Sequence, residues 1–321
     1  MLKLGIIGLG DIACKAYLPV ITARNDVELV FCTRNRQTLE HVSSMYRIQN
    51  KAASVDELLL HGIDAAFVHT ATESHPEIVE KLLRAGVHVY VDKPIAYTYA
   101  ESLRLVELAE NMTLMLAVGF NRRFAPMVAA LKAEDERRLV LMQKNRTYLP
   151  GEVRRFVFDD FIHVVDTVRW LAPSEITEMR VKALQKESRL HHLVLHLDGE
   201  GFSLMGLMNR DNGKNEETLE VMSPGNKWVV HDLNTTSRFT GGEERLLRFK
   251  DWDPVLYRRG FVQIIDSFIN DVLRARQAVQ GSSHAADAGG SGAASGTSIS
   301  PRDALETHRI CEWIVGELSN K

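Results

Sequence analysis

The chain has 321 residues, of which 45% are hydrophobic and 25% charged, with a formal net charge of -3. This composition is typical of soluble globular proteins, and the length is sufficient for two domains with separate cores. The near-neutral charge and the absence of long basic or apolar runs argue against nucleic-acid or membrane partners. Three scattered cysteines, Cys14, Cys32 and Cys311, predict reduced thiols and a cytoplasmic location.

A glycine-rich turn follows the first apolar run, Leu2–Ile7. Gly8, Gly10 and Ala13 give the pattern G-x-G-x-x-A between a predicted strand and a predicted helix. The first glycine allows a tight turn, the second lets backbone approach a pyrophosphate, and the helix N-terminus offers unpaired N–H groups. The pattern predicts a dinucleotide site whose contacts here are Gly8, Gly10, Asp11 and Ile12.

The end of the second predicted strand, Val27–Cys32, indicates which dinucleotide is preferred. NAD sites usually have Asp or Glu there to bind the ribose 2′-hydroxyl. This chain has Thr33 and Arg34 instead, a hydroxyl and a guanidinium that suit a 2′-phosphate. We therefore predict NADP as the cofactor, with NAD as the alternative cofactor and a solvated basic turn as the structural alternative.

Two further strand ends carry polar residues. The strand Ile63–His69 is followed by Thr70, Ala71 and Thr72, whose backbone and hydroxyls are predicted to line the cofactor. His75 comes next, either as a further cofactor contact or as a helix cap. Strand and helix alternate throughout this part of the chain, which predicts a doubly wound parallel sheet with right-handed crossovers.

A buried strand over residues 87–91 ends abruptly on the charged pair Asp92 and Lys93, followed by Pro94. Proline cannot donate to a sheet and biases the residue before it towards extended geometry, so the strand ends where the charges begin. Ligands of open α/β sheets bind at such carboxyl ends. The structural alternative is a surface ion pair that closes the strand.

A second group of candidate residues lies on a predicted helix, Phe156–Leu171, which has an apolar stripe at helical spacing. Asp159 and His163 are four residues apart and would be neighbours on a regular helix. A carboxylate beside an imidazole fixes its tautomer and raises its basicity, so His163 is a candidate general base. The alternative is a buried structural histidine. Asp160 is a rival carboxylate, and Asp166 is assigned a structural or substrate-side hydrogen bond.

Several segments, in this order and spacing, resemble the Gfo/Idh/MocA oxidoreductases, which include glucose–fructose oxidoreductase and inositol dehydrogenase. They read GIIGLGDIA, IDAAFVHTATESH, AGVHVYVDKP and VGFNRRFAP. Together with DDFIHVVD, they look most like the MviM branch of that family. Family members usually have Glu where this chain has Asp92.

The resemblance implies an N-terminal Rossmann domain over residues 1–120 and a C-terminal α+β domain over residues 121–321. The second domain would contain a large, mostly antiparallel sheet that often forms a homodimer. The family has an Asp-x-x-x-His on a helix facing the nicotinamide, and Asp159 with His163 matches it. Asp92, Lys93 and Asn121 are then expected at the cofactor, and Arg122, Arg123 and Tyr257 on the substrate side. Both arginines could equally form structural ion pairs, and Tyr257 could instead contact a dimer partner or only pack at the start of a helix.

The chemistry of alcohol oxidation then assigns the roles. A proton must leave oxygen as hydride leaves carbon for the nicotinamide. We predict that His163 takes the proton, Asp159 stabilises the imidazolium, and Lys93 holds the developing alkoxide or relays its proton. The predicted protein is an NADP-dependent oxidoreductase acting on a sugar, polyol or derivative. Two alternatives stay open: a redox-neutral enzyme with a tightly held cofactor, and a non-enzymatic NADP sensor.

The remaining segments make smaller predictions. Strands are expected at residues 181–184, 191–197, 201–208, 217–222 and 228–231, and an amphipathic helix at about 261–275. His191, His192 and His196 do not complete a metal ligand set, so no metal site is predicted. Residues 281–300 are almost entirely Gly, Ser, Ala and Thr, which predicts a mobile loop before a final helix from Pro301 to about Leu318.

Overall fold

The computed structural model describes residues 1–282 and 299–319, so most of the loop predicted at 281–300 lies outside the described residues. The chain divides into two compact units, which differ from the predicted domains 1–120 and 121–321. Unit 1 comprises Met1–Ala96, Ala100–Gly119 and Val262–Leu305, and unit 2 comprises Tyr97–Tyr99, Phe120–Phe261 and Glu306–Lys321.

Unit 1 contains a six-stranded parallel sheet of order β3-β2-β1-β4-β5-β6, which confirms the predicted doubly wound fold. The order reverses between β1 and β4, and such a switch point is where open α/β sheets bind ligands. The strands are β1 (Leu2–Ile7), β2 (Val27–Cys32), β3 (Lys51–Ala52), β4 (Ala65–Val68), β5 (His88–Val91) and β6 (Leu116–Val118). The helices along this part of the chain are α1 (Leu18–Ile21), α2 (Arg36–Tyr46), α3 (Val55–Leu60), α4 (His75–Arg84) and α5 (Tyr99–Asn111).

A helix from the C-terminal part of the chain, α10 (Phe261–Ser282), completes unit 1. Phe268 of this helix contacts Phe67 of β4 and Tyr90 of β5, with ring centroids 5.2 and 5.6 Å apart. Burying three aromatic rings against the parallel sheet explains why α10 belongs to unit 1 and not to the predicted C-terminal domain.

Unit 2 contains an eight-stranded sheet of order β14-β13-β12-β11-β7-β10-β9-β8. Only β7 and β10 run parallel to each other among the pairs of this sheet, so the predicted mostly antiparallel sheet is confirmed. The sequence did not predict β7, β13 or β14. The strands are β7 (Leu139–Asn145), β8 (Glu178–Lys186), β9 (Arg189–Gly199), β10 (Phe202–Asn209), β11 (Glu216–Ser223), β12 (Asn226–His231), β13 (Thr235–Thr240) and β14 (Glu243–Arg248).

The helix α8 (Ile162–Leu171) packs its apolar stripe against β7 and β10. Gly206 of β10 permits this approach, because a Cβ at that position would lie 2.8 Å from Cγ1 of Val164. The predicted stripe of Phe161, Val164, Val165, Val168 and Leu171 is fully buried. The other helices are α6 (Pro126–Ala129), α7 (Val153–Arg155), α9 (Val255–Arg258) and α11 (Pro301–Ser319), the last of which confirms the predicted final helix.

Within residues 1–282 and 299–319, no helix combines the length and apolar character needed to cross a bilayer. The three cysteines are free thiols, with Cys32 and Cys311 buried.

Candidate functional site

A cleft of about 510 Å³ opens in unit 1 at the carboxyl ends of β1, β2 and β4. This is the point at which the strand order reverses. Six of the predicted cofactor contacts line it: Gly8, Gly10, Thr33, Arg34, Thr70 and Ala71. Other residues also line the cleft but were not predicted as cofactor contacts, among them Thr38, Ser54, Asp56, His69 and Lys81.

The glycine turn has the geometry that a dinucleotide needs. Gly8 has a φ of 88°, and a Cβ there would lie 2.8 Å from the carbonyl of His69 and from the amide nitrogen of Thr70. A Cβ on Gly10, in contrast, would meet no described protein atom within 4 Å, so the backbone there is open to a ligand. Ala13 is fully buried where the helix meets the sheet. These residues therefore fit a bound pyrophosphate.

The rim of the cleft at the end of β2 carries Thr33, which is half-buried, and Arg34, which is exposed. The next residue, Asn35, has a structural role: its Oδ1 accepts a hydrogen bond of 3.0 Å from the amide of Thr38 and caps the N-terminus of α2. Across the cleft, Asp56 and Lys81 form an ion pair of 2.6 Å. The arrangement leaves Arg34 as a rim cation positioned to meet an anionic group.

Seven predicted cofactor contacts are not among the residues that line this cleft: Asp11, Ile12, Thr72, His75, Asp92, Lys93 and Asn121. Asp11 pairs with Lys15 at 2.7 Å on the surface, and Ile12 is exposed beside it. Thr72 lies in a short 3-10 turn, Thr72–Ser74.

His75 has a different environment from the predicted one. It is buried, with Nδ1 2.8 Å from the carbonyl oxygen of Pro94 and Nε2 3.1 Å from that of Thr70. Burial lowers the pKa of His75, so the ring is neutral at pH 7 and its single N–H donates to one of these carbonyls at a time. His75 thus connects the Thr70 loop to the turn that follows Lys93, as a structural link.

Replacing His75 with leucine is expected to lower the free energy of unfolding by about 1–3 kcal/mol, because a buried carbonyl loses its hydrogen-bond donor. Urea unfolding of His75→Leu and of the exposed-site control His41→Leu measures this effect. Equal stability of the two variants would contradict the structural role.

Asp92 is held by a chain of buried hydroxyls. Tyr17 Oη lies 3.2 Å from Asp92 Oδ1 and 3.0 Å from Tyr90 Oη. Because a carboxylate only accepts, Tyr17 donates to Asp92 and Tyr90 donates to Tyr17. Burial raises the pKa of both tyrosines well above the usual range, which keeps them protonated as donors. Gly119 provides the space, since its Cβ would lie 2.7 Å from Asp92 Oδ1. The residue before Lys93 is therefore fixed in position.

In unit 2, Asp159 lies in a π-helical turn, Phe156–Phe161, that leads into α8. Such a wider turn changes which side chains are neighbours, so the four-residue rule behind the predicted pairing with His163 does not apply in its regular form. Tyr97 Oη donates to both carboxylate oxygens of Asp159, at 2.7 and 2.9 Å. Tyr97 was not predicted. His163 is half-buried on α8, and its role as a general base stays a prediction.

The predicted rival carboxylate, Asp160, is buried and accepts hydrogen bonds from Lys144, Arg146 and Arg210. Its side chain faces this cation group of the sheet, which makes it a structural residue of unit 2.

Both predicted substrate-side arginines are engaged by carboxylates, of which Asp166 is buried and Glu217 largely so. Arg122 donates twice to Glu217 at 2.6 Å, and Arg123 Nε donates to Asp166 at 2.9 Å. The structure thus gives them the role of structural ion pairs, which the sequence had left open. Two more predicted residues lie at or near one further contact: Asn121 donates to the carbonyl oxygen of Arg259 at 2.8 Å, and Tyr257, two positions before Arg259, is partly exposed.

The parallel sheet with its glycine turn and the large mixed sheet of unit 2 define a two-unit protein with a dinucleotide-binding fold. Residues 2–120 match the model of an oxidoreductase family with an NAD-binding Rossmann fold, and residues 126–240 match a YceM-like C-terminal domain. The chain belongs to the Gfo/Idh/MocA family of oxidoreductases.

Individual relatives agree with this assignment. The chain is 36% identical to the YceM oxidoreductase of Salmonella typhimurium over 278 residues, which are 84% of this chain and 89% of that protein. The crystal structure of an MviM dehydrogenase from Clostridium difficile superposes with a TM-score of 0.87 at 32% identity, covering 98% of this chain and 99% of that one. A myo-inositol dehydrogenase of Streptomyces leeuwenhoekii is 39% identical over 139 residues, 40% of this chain and 43% of that protein.

Proposed function

We propose that this oxidoreductase uses NADP to oxidise or form a secondary alcohol of a sugar, polyol or related compound. The observation that carries the proposal is the unit 1 cleft, in which the open backbone at Gly10 and the hydroxyl and guanidinium of Thr33 and Arg34 occur together. The backbone at Gly10 suits the pyrophosphate of a dinucleotide, the Thr33 hydroxyl suits its ribose, and the Arg34 guanidinium suits a 2′-phosphate.

The proposed roles follow from the chemistry of the side chains. Bound NADP supplies the hydride acceptor. His163 accepts the hydroxyl proton, and Asp159, oriented by Tyr97, stabilises the resulting imidazolium. Lys93 holds the negative charge that develops on the substrate oxygen. Its neighbours Asp92 and Pro94 are held by Tyr17 and His75, which restrict the movement of the turn that carries Lys93.

The substrate class is supported by a relative whose name states that it acts on myo-inositol. The experiment that tests the proposal mixes the purified protein with NADP and a panel of alcohols that begins with myo-inositol, and follows NADPH absorbance. Formation of NADPH with one of these alcohols supports it. Cofactor that copurifies without any net NADPH formation would instead indicate redox-neutral chemistry.

Cofactor choice is expected to depend on Arg34. Replacing Arg34 with alanine should weaken NADPH binding about tenfold or more and leave NADH binding unchanged, because only NADPH carries the 2′-phosphate. Fluorescence titrations of the wild type, Arg34→Ala and Arg36→Ala make the comparison, since Arg36 is an exposed arginine on α2 outside the cleft lining. Equal NADH and NADPH affinities in the wild type would contradict NADP preference.

Two further parts of the proposal concern the setting of the enzyme. The free thiols of Cys14, Cys32 and Cys311 support a cytoplasmic location. The family resemblance supports a homodimer formed through the sheet of unit 2, and light scattering of the purified protein measures its mass in solution.

A further inference from the structure

A compact group of cations lies at one edge of the unit 2 sheet. Since β7 and β10 are parallel, their carboxyl ends meet at the same edge. Lys144 lies near the end of β7, and Arg146 and Arg210 each come directly after a strand, β7 and β10 respectively. All three contact Asp160: Lys144 through Nζ, Arg146 through two hydrogen bonds of 2.8 and 2.9 Å, and Arg210 through one of 3.2 Å.

The carboxylates near these three cations do not balance them. Glu217 of β11 lies directly opposite Lys144 of β7 and forms an ion pair with Arg122. This pair therefore adds one positive and one negative charge to the group. Asp160 is the second carboxylate, so the guanidiniums of Arg122, Arg146 and Arg210 already exceed the carboxylates by one charge, and Lys144 adds to this excess when it is protonated. Two further charges have opposite signs: Asp159, which acts on Arg210, and Arg259, which acts on Glu217. They leave the same positive excess.

This excess is held away from water. The exposed fractions of the side chains are 6% for Lys144, 7% for Arg122 and 9% for Arg210. Among the described residues, Arg210 Nε has no hydrogen-bond partner, although the guanidinium is stacked 4.2 Å from the centroid of the Phe156 ring. Burying unbalanced cations is unfavourable unless an anion joins them. Arg146, at 34% exposed, gives the group its access to solvent.

Phe156, which stacks on Arg210, and Asp160, which binds all three cations, both belong to the π-helical turn that carries the candidate catalytic residue Asp159. A ligand at the cations would therefore lie beside that turn. We infer that the substrate carries an oxyanion, a phosphate or a carboxylate, which binds at Arg146 with Lys144 and Arg210 behind it. This inference rests on the proposed function and adds the charge of the substrate to it. Arginine suits both groups because its planar fork binds two oxygens of one anion.

Calorimetric titration of the purified protein with sodium phosphate, and separately with sodium acetate, tests the inference at an ionic strength held constant with sodium chloride. The variants are Arg146→Gln, Arg146→Lys and the control Arg180→Gln, which removes an exposed arginine from β8. Phosphate binding should weaken about tenfold or more in Arg146→Gln, less in Arg146→Lys, and not in the control. Tighter binding of phosphate than acetate would identify a phosphorylated substrate, and the reverse order a carboxylated one.

A second measurement uses sulfate, whose charge does not change near neutral pH. Burial, together with the charges of Arg122 and Arg146, lowers the pKa of Lys144 to about 7, against the opposing charges of Asp160 and Glu217. Lys144 is therefore more fully charged below about pH 7, and sulfate should bind more tightly there. The variant Lys144→Met should lose this pH dependence, while His163 on α8 and His191 on β9, which β10 separates from β7, are left unchanged.

Failure of the inference can be told apart from failure of the proposed function by titrating every variant with NADPH, and circular dichroism confirms that each is folded. Normal NADPH binding with no phosphate or acetate binding, or with equal anion binding in Arg146→Gln and the wild type, would overturn the oxyanion site alone. A pH dependence of sulfate binding that persists in Lys144→Met would remove Lys144 from the site.

Discussion

Replacing Lys93 with methionine is expected to lower turnover by about 10²- to 10⁴-fold, while NADPH affinity stays within about twofold of the wild type. Methionine keeps the length of the side chain but removes the charge that stabilises the substrate oxygen. The cleft lining does not include Lys93, so the cofactor keeps its contacts there. Steady-state rates with the alcohol identified in the NADP screen, combined with NADPH fluorescence titration, measure both quantities.

The matched control is Lys51→Met, which removes an exposed lysine of unit 1 that pairs with Glu40. It should retain the wild-type rate. A Lys93→Met variant with normal turnover would show that the charge at this position is not used, and a variant that loses NADPH binding would assign Lys93 to the cofactor.

The second large effect concerns stability. Replacing Asp160 with asparagine is expected to lower the free energy of unfolding by about 3–5 kcal/mol, because three cations of the sheet edge lose their shared carboxylate. The adjacent Asp159→Asn is a close control, since it leaves Asp160 and its hydrogen bonds to the three cations in place and should chiefly reduce turnover. Urea unfolding at pH 7 compares the two, and equal destabilisation would contradict the separate roles.

The same carboxylate predicts acid sensitivity. Burial alone would raise its pKa, but the hydrogen bonds and charges of Arg146 and Lys144 bring the pKa of Asp160 well below its usual range. Its contribution is therefore fully present above the unfolded pKa of about 4 and is lost progressively as the pH falls below it. Asp160→Asn should flatten the acid side of the stability curve, and an unchanged acid dependence would argue against this assignment.

Much of unit 1 could be predicted because its signals are local. The glycine turn after β1 and the polar residues after β2 and β4 each follow a short apolar run, and parallel topology brings those strand ends together. Gly8 and Gly10 could be assigned from the local pattern G-x-G-x-x-A between a strand and a helix, although the contact of Gly8 with His69 and Thr70 is long-range. Local sequence also contained the helix caps, such as Ser54 at α3.

What the sequence did not reveal depends on contacts between distant residues. Tyr17 and Tyr90 are 73 positions apart, and Tyr97 is 62 positions from Asp159, so their hydrogen bonds left no pattern in the chain. The strand β14 was missed because all six of its residues are exposed, so it lacks the alternation that marks a half-buried strand. The π-helical turn at Asp159 was also not predicted, because the rule of four residues applied to Asp159 and His163 assumes a regular α-helix.

The discontinuity of unit 1 has a consequence for how the protein is made. On the ribosome, all six parallel strands emerge before Phe268, yet α10 provides the ring that packs on Phe67 and Tyr90. All eight strands of unit 2, which end at Arg248, are synthesised in that interval. During this interval the face of the parallel sheet that carries Phe67 and Tyr90 lacks its packing partner, although all strands of the second sheet have already been synthesised. A fragment ending at residue 120 would keep that face exposed permanently, and this nascent chain would be most dependent on a chaperone between the synthesis of residues 118 and 268.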